Sequence, residues 1–177
     1  MSLDNVEKRV NIAVSIVTII AIISGGVFGV IEYLDYKKEI RIKNTIDLVN
    51  RYHSGHVLES KLRTDKVWNE MYPSLIELFS TDSSSEAYEG FVLTIINKKN
   101  LNSPVSVLMG LFDETVVCIE SDICDKETID RYFLKSGRSF FNKYYPYICD
   151  QRSKWNDETI WVNVQKYYNP GSTGKIC

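Results

Sequence analysis

Histidine, cysteine and proline are scarce in this chain of 177 residues, which has two, four and four of them. His53-x-x-His56 is the only histidine pair, and no H-E-x-x-H, C-x-x-C or Glu-x-x-His completes a ligand set. A zinc site needs three or four ligands at suitable spacing, and a di-iron carboxylate bundle draws a Glu-x-x-His from each of two helices. Both chemistries are disfavoured. Asn-Gly and Asp-Gly dipeptides are absent too, which removes the strongest short-range hairpin signals. The most informative absence is charge. Val10 to Ile31 is a run of 22 residues without one acid or base, although the whole chain is 25% charged with a net charge of -2.

That run, VNIAVSIVTIIAIISGGVFGVI, would extend about 33 Å as an α-helix, enough for the hydrocarbon core of a bilayer. A buried core helix seldom runs this long without a charge. The preceding MSLDNVEKR has two acids and two bases, so it lacks a positive n-region, and no A-x-A site follows. A retained signal anchor fits better than a cleaved leader. Lys8 and Arg9 precede the run, while Lys37, Lys38, Arg41 and Lys43 follow it. The heavier basic flank belongs inside, which predicts an outside N-terminus and a cytoplasmic C-terminal domain. The same four residues are candidates for contact with anionic lipid headgroups. Ala21, Gly25 and Gly29 are spaced by four, a small-residue stripe of the kind that lets two membrane helices approach closely. The competing reading is that glycine is simply common in membrane helices.

Helical periodicity continues beyond the run. EYLDYKKEIRIKNTIDLVNRYH contains neither Gly nor Pro, and Ile42, Ile46 and Val49 form an apolar stripe that ends at HSGH, with Gly55 as terminator. A second helix, broken near Tyr72 by Pro73, carries Val67, Met71, Leu75 and Leu78 beside Trp68 and Phe79. A third, from Glu86 to Lys98, carries Tyr88, Phe91, Val92, Ile95 and Ile96. Ser103 and Pro104 predict the N-cap and first residue of a fourth, and Asp125 caps a fifth, which Gly137 interrupts. Asn156 or Asp157 caps a last helix, ETIWVNVQKYY. The expectation is an all-α protein, a single transmembrane helix continuing into a cytoplasmic multi-helix bundle. Its parts are a short extracytoplasmic N-terminus (1–9), a transmembrane helix (10–31), a juxtamembrane helix (32–54), a helical domain (55–168) and a flexible tail (169–177). Eleven of the 21 aromatic residues lie between Tyr132 and Tyr168, which reads as core packing rather than a ligand groove.

The remaining motifs carry little chemistry. His53 and His56 read as polar residues at a helix–helix turn. Cys118, Cys124, Cys149 and Cys177 match no zinc or redox spacing and are expected reduced in the cytoplasm, with Cys118 in the core. An outside domain would instead allow Cys118–Cys124 or Cys124–Cys149 to pair. Pro-Gly-Ser-Thr-Gly-Lys at the C-terminus fails as a P-loop, because Ile176 stands where Ser or Thr is needed and no helix follows. Residues 32–66 carry a net +2 and residues 67–177 a net -4, which argues against general nucleic-acid binding.

Tyr88-Glu89-Gly90-Phe91, the acidic turn Ser121–Asp125, Ile129-Asp130-Arg131-Tyr132-Phe133, Pro146-Tyr147-Ile148, Arg152 and Ile160-Trp161 together resemble an uncharacterised bacterial family of membrane-tethered helical domains, domain of unknown function 4760. The resemblance covers about Tyr88 to Asn163. It implies the helical fold and the anchor, and no catalytic residues. The leading expectation is therefore a membrane-anchored interaction module (an adaptor, sensor or regulator) without cofactor or enzymatic activity. Its partners would be the bilayer and a second copy or another protein. The alternatives are an oligomeric effector that perturbs the membrane in bacterial stress or phage defence, and a membrane-bound hydrolase or metal enzyme built on His53 and His56.

Overall fold

The computed structural model describes residues 3–170 and 177, with side chains from Ile16 onward. The helices are α1 (Leu3–Tyr52), α2 (Gly55–Thr81), α3 (Ser85–Lys98), α4 (Asn102–Glu120), α5 (Lys126–Ile129), α6 (Lys135–Trp155) and α7 (Val162–Tyr168). One π-helical turn, Asp130–Leu134, joins α5 to α6. No strand occurs among the described residues. The chain divides into two compact units, Met1–Ile40 and Arg41–Cys177.

The first unit is helical from Leu3, and every described side chain in it is exposed. Ile20, Ile22, Ile23 and Phe28 are among its exposed side chains, an apolar surface of the kind that lipid covers. The helix is long and apolar enough to cross a membrane. The expected N-terminal segment 1–9 falls where no side chain is described.

The second unit is a helical bundle around α4. Val105, Leu108, Met109, Leu111, Phe112 and Val116 are buried on α4 at helical spacing, and α2, α6 and α7 pack on it. Much of the aromatic cluster is core, as expected, although Tyr132 and Trp155 are exposed. Phe133, Phe141, Tyr144, Tyr147 and Tyr168 are buried, and each of the three buried tyrosine hydroxyls finds a partner. Trp68 Nε1 donates to the Tyr144 hydroxyl at 2.6 Å, Tyr168 shares a 2.5 Å hydrogen bond with Thr115, and Tyr147 lies 3.0 Å from Ser106 Oγ. These contacts satisfy polar tips that burial would otherwise leave costly.

Two helix starts are capped by side chains, and the cap at Asp125 is the expected one. Ser84 Oγ accepts from the Ala87 amide at the start of α3, and Asp125 accepts from Thr128 at the start of α5. Elsewhere the expectations are corrected. Pro73 does not break α2, since its missing N–H falls on an exposed side of the helix where Asn69 also faces solvent. Helix α4 begins at Asn102, so Pro104 sits third, still within the turn whose amides need no helical acceptor. Gly137 does not interrupt α6 but makes room for Tyr168, whose Cε1 would lie 2.4 Å from an added Cβ. The last helix starts at Val162, because Asp157 accepts from the Thr159 amide and hydroxyl and holds 157–161 as turns.

The stripe on the C-terminal part of α1 is also rotated from its expected position. Thr45, Leu48 and Val49 are buried, whereas Ile42 and Ile46 stay exposed. Thr45 is held there by donating to the Arg41 carbonyl and accepting from the Asp125 amide. A hydroxyl satisfied on both sides is as buriable as an isoleucine.

Candidate functional site

The small-residue stripe lies in the first unit. Ala21, Gly25 and Gly29 are exposed, and no atom lies within 4 Å of a Cβ added at either glycine. The headgroup candidates separate. Lys37, Lys38 and Lys43 are exposed, while Arg41 is half-buried and its guanidinium forms an ion pair with Asp122 at the α4–α5 turn.

His53 lies in the turn between α1 and α2 and His56 in the first turn of α2, both exposed. They share no helix. Among the described residues no group of three or more His, Cys, Asp and Glu side chains could hold a metal. The glycine–lysine stretch of the tail lies outside the described residues, but Cys177 is fastened to the bundle.

All four cysteines are paired. Cys118 bonds Cys124 across the turn after α4, and Cys149 on α6 bonds Cys177. The reduced state expected for them is thereby corrected. Cys118–Cys124 is one of the two pairings considered for an outside domain, and Cys149 takes Cys177 rather than Cys124. The chain's return through α7 closes that 28-residue separation, which no local spacing announces.

Two concave surfaces stand out on the bundle. The first is apolar and lies between α2 and α3. Met71, Leu78, Ala87, Phe91 and Ile95 line a cavity of 290 Å³. Lys99 borders it and pairs with Glu70 at 3.6 Å. Beside it, Tyr72, Ile76 and Phe79 follow helical spacing on α2 and remain exposed, with Phe79 stacked on Tyr88 at 6.0 Å. An exposed apolar row next to an apolar groove is the kind of surface that marks a protein contact.

The second is polar at its rim and aromatic at its floor, with a volume of 280 Å³. Tyr52, Leu108, Phe112 and Phe140 form the floor. Lys61, Asp65 and Lys143 stand at the rim with the hydroxyls of Thr64, Ser136 and Ser139. Lys61 Nζ lies 4.7 Å from the Tyr52 ring centroid and Lys143 Nζ 4.9 Å from that of Trp68. Burial lowers the Lys143 pKa, opposed by the Asp65 charge, and burial followed by Asp65 raises that of Tyr52. The π-turn ends at Leu134, two residues before Ser136. Such turns recur at functional sites because they re-aim the side chains that follow. No sequence motif announces this pocket. Its residues come from α1, α2, α4 and α6 and meet only when the bundle closes.

Fold and anchor thus define a class: an all-α domain attached to a helix capable of crossing a membrane. A family model described as "Domain of unknown function (DUF4760)" matches residues 11–169, and the chain belongs to that family. No curated protein and no solved structure matches the chain.

Proposed function

We propose that this protein is a membrane-anchored interaction module whose helical domain binds a second copy of the same chain, serving as an adaptor, sensor or regulator. The observation that carries this reading is the exposed row Tyr72, Ile76 and Phe79 beside the apolar groove of α2 and α3. A second copy is the favoured occupant because an anchor confines copies to two dimensions and raises their effective concentration, so a modest apolar patch suffices. The stripe Ala21, Gly25 and Gly29 supports the same partner within the bilayer. Lys37, Lys38 and Lys43 would meet anionic headgroups. Crosslinking of the full-length chain in native membranes tests this reading. Ile76→Asp should abolish the domain-mediated dimer, and Gly25→Leu with Gly29→Leu should remove the association that remains within the bilayer. A dimer unaffected by all three changes would overturn it. Dye entry on overexpression would favour the membrane-perturbing effector instead.

Orientation has two opposing supports. The basic flanks, four residues after the span against two before it, favour a cytoplasmic domain. The pairing of four cysteines out of four favours an oxidising compartment, because the cytosol keeps thiols reduced. We infer an extracytoplasmic domain, since a bias of two basic residues is the weaker constraint. Under that orientation an impermeant maleimide labels intact cells only after reduction. A cytoplasmic domain would be labelled without reductant, and only by a permeant reagent.

A further inference from the structure

The aromatic-floored pocket has the features of a small-molecule site and belongs to neither the anchor nor the α2–α3 groove. We infer that it binds a small organic anion with a flat apolar body, an aromatic carboxylate in chemical class, with the ring on Tyr52 and Phe140 and the carboxylate between Lys61 and Lys143. The volume of 280 Å³ suits a ligand of one ring and a few substituents. Tyr52 and Phe140 are only partly buried and lie 6.3 and 5.5 Å from the fully buried Phe112 ring that backs them. That floor offers faces and edges to a planar guest.

The charge arrangement selects the sign. Among the described residues neither Lys61 nor Lys143 lies within ion-pair distance of a carboxylate, and each ammonium rests against an aromatic ring instead. Two cations with one carboxylate, Asp65, leave the rim with an excess positive charge. An ammonium partly removed from water gains more from an anion than one on the open surface. Thr64, Ser136 and Ser139 add hydroxyls that can donate to the carboxylate oxygens. Asp65 works against the anion, which makes it a diagnostic position.

Equilibrium dialysis of the full-length protein in detergent with radiolabelled benzoate tests the assignment, with benzyl alcohol as the neutral competitor of the same shape. Saturable benzoate binding is expected, and benzyl alcohol should compete at least about tenfold more weakly. Lys61→Met and Lys143→Met should each weaken benzoate binding by about tenfold, whereas Asp65→Asn should tighten it severalfold. The Asp65→Asn arm removes a charge from an exposed side chain, so it remains readable where a lysine variant fails to fold. Absence of saturable binding up to roughly 10 mM benzoate would overturn the proposal. Equal competition by benzyl alcohol, or benzoate affinity indifferent to both Lys143→Met and Asp65→Asn, would do the same.

Discussion

Gly137→Ala is expected to destabilise the bundle, although alanine is the better helix former. A Cβ at this position would lie 2.4, 2.7 and 2.8 Å from Cε1, Cδ1 and Cζ of Tyr168. Favourable carbon contacts lie near about 3.5–4 Å, so three ring atoms would be too close by roughly 1 Å. The ring has nowhere to go. Tyr168 is fully buried, its hydroxyl is held by Thr115 at 2.5 Å, and its edge meets Phe112 at 5.5 Å. Helix propensity favours alanine by about 1 kcal/mol, and overpacking costs about 1–3 kcal/mol. The expected net is a loss of up to about 2 kcal/mol, read by urea unfolding of the full-length protein in detergent with tryptophan fluorescence. Tyr168→Ala should cost about 3–5 kcal/mol alone, and in that background Gly137→Ala should stabilise by about 1 kcal/mol. Gly110→Ala provides the control, because Gly110 is exposed within α4 with nothing within 4 Å of an added Cβ, so it should stabilise by about 1 kcal/mol. A Gly137→Ala variant as stable as Gly110→Ala, or the same sign with and without the Tyr168 ring, would refute the packing of α7 on α6.

Other outcomes follow from the same contacts. Burial raises the pKa of Tyr144 and Tyr168, and burial followed by the Asp130 carboxylate raises that of Tyr167. A folded pKa above the unfolded value near 10 means these groups stabilise the fold fully below pH 10, and that contribution is lost as pH rises through the folded values. Tyrosinate absorbance and near-UV circular dichroism should therefore change together above pH 10, with Tyr168→Phe blunting the change. Arg152 is buried and donates from Nε to the Ile160 carbonyl and from Nη1 to Gln165 Oε1, each at 2.9 Å. Arg152→Ala should cost about 2–4 kcal/mol and open the 156–161 turns to limited proteolysis, while unchanged proteolysis would contradict the tie. Loop entropy assigns about 2 kcal/mol to Cys118–Cys124 and about 3.5 kcal/mol to Cys149–Cys177. Cys149→Ser should accordingly lower the urea midpoint more than Cys118→Ser.

Local chemistry was legible where one residue decides it. Asp125 announced its helix by its own side chain, and the charge-free run announced a helix long and apolar enough to cross a membrane. The aromatic cluster near the C-terminus was readable as core because no alternative buries so many rings. What escaped was set by tertiary partners. Thr45 displaced Ile42 from the buried face of α1 only because the Asp125 amide, distant in sequence, completes its hydroxyl. Gly137 reads as a helix interruption until the Tyr168 ring is seen beside it. Cys149 and Cys177, and likewise Lys61 and Lys143, have spacings without meaning until the bundle brings them together.

Self-association through the outer row of α2 is open to photocrosslinking from within that row. A benzophenone amino acid replaces Ile76 in the full-length chain, expressed in native membranes and irradiated, with the same group at exposed Lys154 as the control. A homodimer adduct is expected from position 76, absent from position 154 and lost when Tyr72→Asp is added. Equal adducts from both positions, or none from position 76, would contradict it.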